Sequence, residues 1–148
     1  MSTEQLQAAL AGEHAAVYAY GVVGAWTSGG DRDAATAAFD VHRARRDRIT
    51  ALLTDIGEDP VGPAGGYLLP VAVDGPETAR ALAATVESAA SAVYADVVLA
   101  ADGDADLRTT AARWQVDAAV RAALWSATTV AFPGAPELAA PLPSPSRS

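Results

Sequence analysis

Glu13-His14-Ala15-Ala16-Val17-Tyr18-Ala19-Tyr20 and, past the midpoint, Glu87-Ser88-Ala89-Ala90-Ser91-Ala92-Val93-Tyr94 share one polar pattern: a glutamate followed seven residues later by a tyrosine. Each copy leads on to an aromatic, a polar residue three further and an arginine four beyond that. These are Phe39, His42 and Arg46 in the first copy, and Trp114, Asp117 and Arg121 in the second. The copies are offset by 74 residues at the Glu and Tyr and by 75 at the other three. Steps of three, four and seven keep residues on one face of an α-helix. The chain therefore reads as two helical hairpins that aim charged groups at one place.

Working outward, four long helical segments are predicted. The first runs from about Thr3 to about Trp26 and is broken by Thr27-Ser28-Gly29-Gly30, whose glycines suit a left-handed cap. The second is capped by Asp31 or Asp33 and reaches about Ile56, stopping at Gly57. The third opens on Asp74-Gly75-Pro76-Glu77, a cap candidate, a first-turn proline and an acid at the positive helix end. It ends at Asp102-Gly103; Asp104 or Asp106 caps the fourth, which continues to about Val130. The stripe Leu6, Leu10, Glu13, Val17, Tyr20, Gly24 has heptad-like spacing with a carboxylate inside it, and Phe39, His42, Arg46, Ile49, Leu53, Ile56 does the same on the second helix.

Connection lengths select a topology. Short turns make helices one and two, and three and four, antiparallel hairpins. The connection from Gly57 to Gly75 is long and rich in Gly and Pro. It can return along the whole length of a helix, which makes helices two and three parallel and places Tyr67, Leu68 and Leu69 on the surface they cross. The expected unit is an all-α four-helix bundle over residues 1–138. A Pro/Ser-rich tail, 139–148, follows and is expected to be disordered.

Composition narrows the function classes. At 148 residues the chain can bury one core without staples, and the lack of cysteine removes disulfides, thiolate metal sites and cysteine nucleophiles. The N-terminus has no secretory pattern, and no uninterrupted apolar run approaches the roughly 20 residues of a membrane span. A cytoplasmic protein is expected. The net charge of −8 argues against nucleic acid and anionic membrane as partners. The basic run His42-Arg43-Ala44-Arg45-Arg46-Asp47-Arg48 spreads around a helix and meets Asp40 and Asp47, so it reads as a solvated face.

Four helices, a long crossover and a mid-helix Glu on helices one and three resemble the ferritin-like di-iron superfamily. More narrowly, the Glu13–Gly24 and His42–Asp47 stretches look like an uncharacterised bacterial ferritin-like domain of unknown function, a resemblance spanning Leu6 to Glu137. It implies a metal site built from a Glu on each of two helices and a Glu-x-x-His on each of the other two. Glu13, Glu87 and His42 map onto that pattern, but Phe39 and Trp114 stand at the bridging-glutamate positions and Asp117 at the second histidine. The polar seam then holds Glu13, Glu87 and Asp117 against Arg46 and Arg121, with His42 between. This set is nearly self-neutral and suits a buried ion-pair network better than two divalent ions, which guanidinium groups would repel.

The expectation is a non-enzymatic, degenerate ferritin-like bundle without a cofactor, structural or interactive in role and associating as a homodimer. The alternative is an iron- or manganese-binding oxidase or iron-handling protein using Glu13, His42, Glu87 and Asp117. No nucleophile–base spacing is readable around His42.

Overall fold

The computed structural model describes residues 3–127, and within them the chain is all-helical, with four helices and no strand. They are α1 (Thr3–Trp26), α2 (Gly29–Asp55), α3 (Pro76–Ala100) and α4 (Ala105–Ser126). The expected Pro/Ser-rich tail lies outside the described residues.

Three boundaries differ from those predicted. α2 begins at Gly29 behind Ser28 rather than at Asp31 or Asp33, because Gly29 (φ +55°) turns the chain sharply enough to start the next helix. The Ser28 side chain makes no capping bond; instead the buried Thr27 hydroxyl donates back to the Val23 carbonyl at 2.8 Å. α3 is capped at Gly75 rather than Asp74, with the Thr78 hydroxyl accepting from the N–H groups of both Asp74 (3.0 Å) and Gly75 (3.1 Å). α4 ends at Ser126, where Ala127 adopts the left-handed region (φ 56°) and breaks the helical run. Asp104 caps α4 by accepting from Leu107 N–H at 2.9 Å.

α1 packs against both α2 and α3, and α3 packs against α4. Alanine makes these contacts close: Ala9, Ala16 and Ala19 of α1, Ala35 and Ala38 of α2, and Ala79 and Ala83 of α3 are all buried. The larger side chains form two apolar clusters. One gathers Leu6, Leu10, Ile49, Leu53, Val97 and Leu107; the other gathers Tyr20, Val23, Leu82 and Trp125. Truncating a fully buried leucine such as Leu10 would cost about 2–5 kcal/mol. On α1, α2 and α3 the buried polar residues that fall between the two clusters are Glu13, His42, Arg45, Glu87 and Ser91. The core is therefore two apolar halves separated by a polar layer.

Residues 57–75 connect α2 to α3 across this surface. Tyr67 packs on Tyr18 (ring centroids 5.2 Å apart), and Leu69, Val71 and Val73 cover the second cluster. Leu68, expected to pack as well, points fully into solvent: extended chain sends alternate side chains to opposite sides. By length and composition α3 would also pass as a membrane span, although no uninterrupted apolar run marks it. Its buried residues meet the other helices, and Glu87 near its middle is bonded to His42 and Arg121.

Candidate functional site: the polar layer

Glu13 and Glu87 face each other across α1 and α3, each seven residues before a tyrosine on its own helix. The tyrosines are exchanged. Tyr20 of α1 donates to Glu87 Oε1 at 2.6 Å, while Tyr94 of α3 donates to Glu13 Oε1. Burial raises both phenol pKa values, and the charge and hydrogen bond of the facing glutamate raise them further; both hydroxyls stay protonated donors. Tyr20 also accepts from the Trp125 indole N–H at 3.0 Å.

His42 closes the two carboxylates into one chain. Its Nδ1 lies 2.6 Å from Glu13 Oε2 and its Nε2 lies 3.0 Å from Glu87 Oε1. An ionised carboxylate only accepts, so two of them flanking the ring favour hydrogen on both nitrogens and hence the imidazolium form. Complete burial disfavours that charge, but the hydrogen bonds and charges of Glu13 and Glu87 outweigh it and hold the pKa above its usual value. Glu87 is the converse. Burial pushes its pKa up, yet the hydrogen bonds and charges of His42 and Arg121 bring it below the ordinary range.

Arg121 of α4 donates from Nε to Glu87 Oε1 at 2.8 Å. Burial alone would lower the guanidinium pKa, but Glu87 reverses this and raises it. Three donors thus converge on Glu87 Oε1, while Glu87 Oε2 is buried with no hydrogen-bond partner among the described residues. Two carboxylates face two cations, and the layer balances internally.

Two expected members sit elsewhere. Arg46 does not join the layer: it is partly exposed and pairs with its neighbour Asp47 at 2.8 Å. The inward arginine is Arg45, only 4 % exposed, with its guanidinium over the rings of Tyr94 (5.4 Å) and Trp114 (5.3 Å). Both positions fit a three-or-four spacing from His42 and from Ile49; Tyr94 and Trp114 decide between them. Asp117, expected in the buried seam, is 59 % exposed and accepts from Arg45 Nη2 at 3.2 Å. Its side chain lies at the rim because Ala118 takes the buried position on α4. Ser91, not singled out from sequence, is buried and donates to the Gln115 carbonyl at 3.2 Å, tying α3 to α4.

The metal candidates Glu13, His42, Glu87 and Asp117 do not converge on one point. Among the described residues no group of three or more His, Asp or Glu is disposed to hold an ion. Glu13 and Glu87 lie on opposite edges of one imidazole, and the Arg121 guanidinium on Glu87 Oε1 places a positive charge beside any cation there. This donor set fits counter-charges rather than a metal.

Comparison with known proteins places these features in a wider group. A family model described as "Domain of unknown function (DUF4439)" matches residues 5–137. The crystal structure of a conserved hypothetical protein, rv2844, from Mycobacterium tuberculosis is similar at 33 % identity with a TM-score of 0.80. The match covers 84 % of this chain and 93 % of that one. No curated protein matches the chain.

Proposed function

We propose, for a chain that belongs to the DUF4439 family of domains of unknown function, a non-enzymatic ferritin-like four-helix bundle with an ion-pair layer in place of a di-metal centre. The observation that carries this reading is His42, whose two nitrogens are both given to carboxylates, one on α1 and one on α3. An imidazolium so used is neither a free base nor an available ligand. It serves as an internal strut joining three helices.

The ferritin-like topology is supported by the order of side-chain pairs. Arg80 meets Asp31, Glu87 meets His42, and Tyr94 meets Arg45, so residue numbers rise together along α2 and α3. Tyr20 with Glu87 and Glu13 with Tyr94 run in opposite order along α1 and α3. Parallel second and third helices require the 57–75 connection to return along the molecule, as a single long crossover does.

The role proposed for such a scaffold is structural or interactive, as a homodimer. Elemental analysis of protein purified without chelator is the decisive measurement. Iron and manganese well below one atom per chain are expected. A stoichiometric content would overturn the reading in favour of an iron- or manganese-handling protein. Sedimentation velocity addresses the dimer separately, and a monomer at high micromolar concentration would remove that part.

A further inference from the structure

α4 is apolar on two sides. Leu107, Ala111, Ala118 and Trp125 face the core, and on the opposite side Val116, Val120 and Leu124 stand 57, 53 and 71 % exposed. A helix with an apolar stripe on each face is suited to being covered on each face. We infer that the outer stripe pairs two copies of this chain, α4 against α4, antiparallel about a two-fold axis at Val116. This pairing rests on the homodimer reading above and gives that dimer its surface.

Shape is the first reason. An antiparallel two-fold pairing sets one half of the stripe against the other, so the two halves must be complementary rather than alike. The N-terminal half is hollow: an open cavity of about 500 Å³ lies against Arg108, Thr109, Ala112, Arg113, Val116 and Asp117. The C-terminal half projects, with Val120 and Leu124 one turn apart. Pairing about Val116 brings Val120 to the partner's Ala112 and Leu124 to the partner's Thr109. The projecting half of each copy then enters the hollow half of the other.

Charge is the second reason. Arg113 and Asp117 lie one turn apart on one flank of the stripe, and within a helix an arginine N-terminal to its acid is the weaker arrangement. Asp117 is turned through Oδ2 to Arg45 rather than to Arg113. Across the axis the partner's Asp117 comes within about 3 Å of helix rise of level with Arg113, and symmetry makes that pair twice. A carboxylate has two oxygens, so Asp117 serves Arg45 within the chain and Arg113 between chains. Antiparallel order also sets the two copies of Arg108 at opposite ends, where parallel order would place like charges together.

The chain has no cysteine, so single cysteines report the pairing directly. Val116→Cys should give a disulfide-linked dimer on mild oxidation, because a residue on the axis meets its own copy. Leu124→Cys should not, because its two copies lie about 24 Å apart along the helices. In sedimentation velocity Val120→Glu should raise the dimer Kd tenfold or more while keeping the parent urea midpoint. Leu99→Glu, at an exposed position of α3, should leave both unchanged. A dimeric parent with Val120→Glu equally dimeric would overturn this surface and leave the homodimer reading standing. Equal cross-linking at both cysteines would overturn the antiparallel order. A monomeric parent would overturn both readings, and methyl shifts at Val116 and Val120 in Phe132→Ser would then assign the face to the chain's own C-terminal segment.

Discussion

The two hairpins of this chain repeat one pattern and use it differently. Along α1 and α3 the repeat is kept: Glu13 and Glu87, Tyr20 and Tyr94 occupy equivalent places and trade hydroxyls across the interface. Along α2 and α4 it is broken. The first hairpin turns its histidine inward and its Arg46 outward; the second turns its Asp117 outward and its Arg121 inward. To the set Glu13, His42, Glu87 and Arg121 each half contributes one acid and one cation, an imidazolium and a guanidinium, while the first half also buries Arg45 against Asp117 of the second. Charge balance within the layer is maintained although the repeat that delivers it is not.

The largest expected effect tests the imbalance on the acid side. Glu87 accepts from Tyr20, His42 and Arg121, whereas Glu13 accepts from His42 and Tyr94. Removing either acid strands buried cations, at about 3–5 kcal/mol. Urea denaturation should place Glu87→Ala at the upper end and Glu13→Ala below it. The reverse order would mean that the two halves carry unequal loads for some reason other than donor count.

Next in size is the pH dependence, which separates the two cations. The His42 pKa is raised from 6.5, so its contribution to stability is complete below pH 6.5 and is lost as pH climbs through the higher folded value. The Glu87 pKa is lowered from 4.5, so its contribution is complete above pH 4.5 and is lost as pH falls through the lower folded value. Both are present together between pH 4.5 and 6.5, where the layer's contribution should peak. His42→Gln should remove the alkaline decline and also shrink the acid limb, because His42 with Arg121 holds the Glu87 pKa down. An unchanged alkaline limb in that variant would show that His42 is not the group titrating.

The hydroxyl exchange is weaker and can be tested from each side. Tyr20→Phe and Tyr94→Phe each remove a hydrogen bond to a carboxylate, worth about 1.5–3 kcal/mol. Tyr20→Phe should cost more, because it also strands the Trp125 indole N–H. Equal losses would argue that the indole bond adds nothing measurable.

Last comes the arginine register. Arg45→Ala should lose about 2 kcal/mol through its buried contacts with Tyr94 and Trp114. Arg46→Ala should change stability by less than about 0.5 kcal/mol, as a surface pair does. Comparable losses at both positions would contradict the placement of Arg45 in the interior.

These residues also show where sequence reading succeeds and where it stops. Helix positions were legible because Gly29, Gly57, Gly75 and Gly103 punctuate alanine-rich runs, and alanine favours helix without needing a partner. The Glu–Tyr spacing was legible because seven residues make two turns, leaving the pair on one face. The exchange between halves was not, since nothing local tells Tyr20 to bond Glu87 rather than its own helix's Glu13. Arg45 was obscured by the arginines around it. Positions 45 and 46 both satisfy helical spacing, and only the aromatic slot made by Tyr94 and Trp114 distinguishes them. Asp117 was assigned inward from the repeat and from the metal-site pattern, and both fail where Ala118 takes the buried position.

The exchanged hydroxyls have a consequence for synthesis. Tyr20 is 67 residues from its acceptor and Tyr94 is 81 from its own, so neither bond can form until most of the chain has been made. Within the first hairpin His42 has only Glu13 for a partner, and the Tyr20 hydroxyl has no acceptor of its own. Arrival of α3 supplies both missing groups at once through Glu87, and brings in Tyr94 for Glu13. Closure of this layer therefore depends on pairing with α3, and on α4 for Arg121 and Trp125, so its contacts are long-range ones throughout.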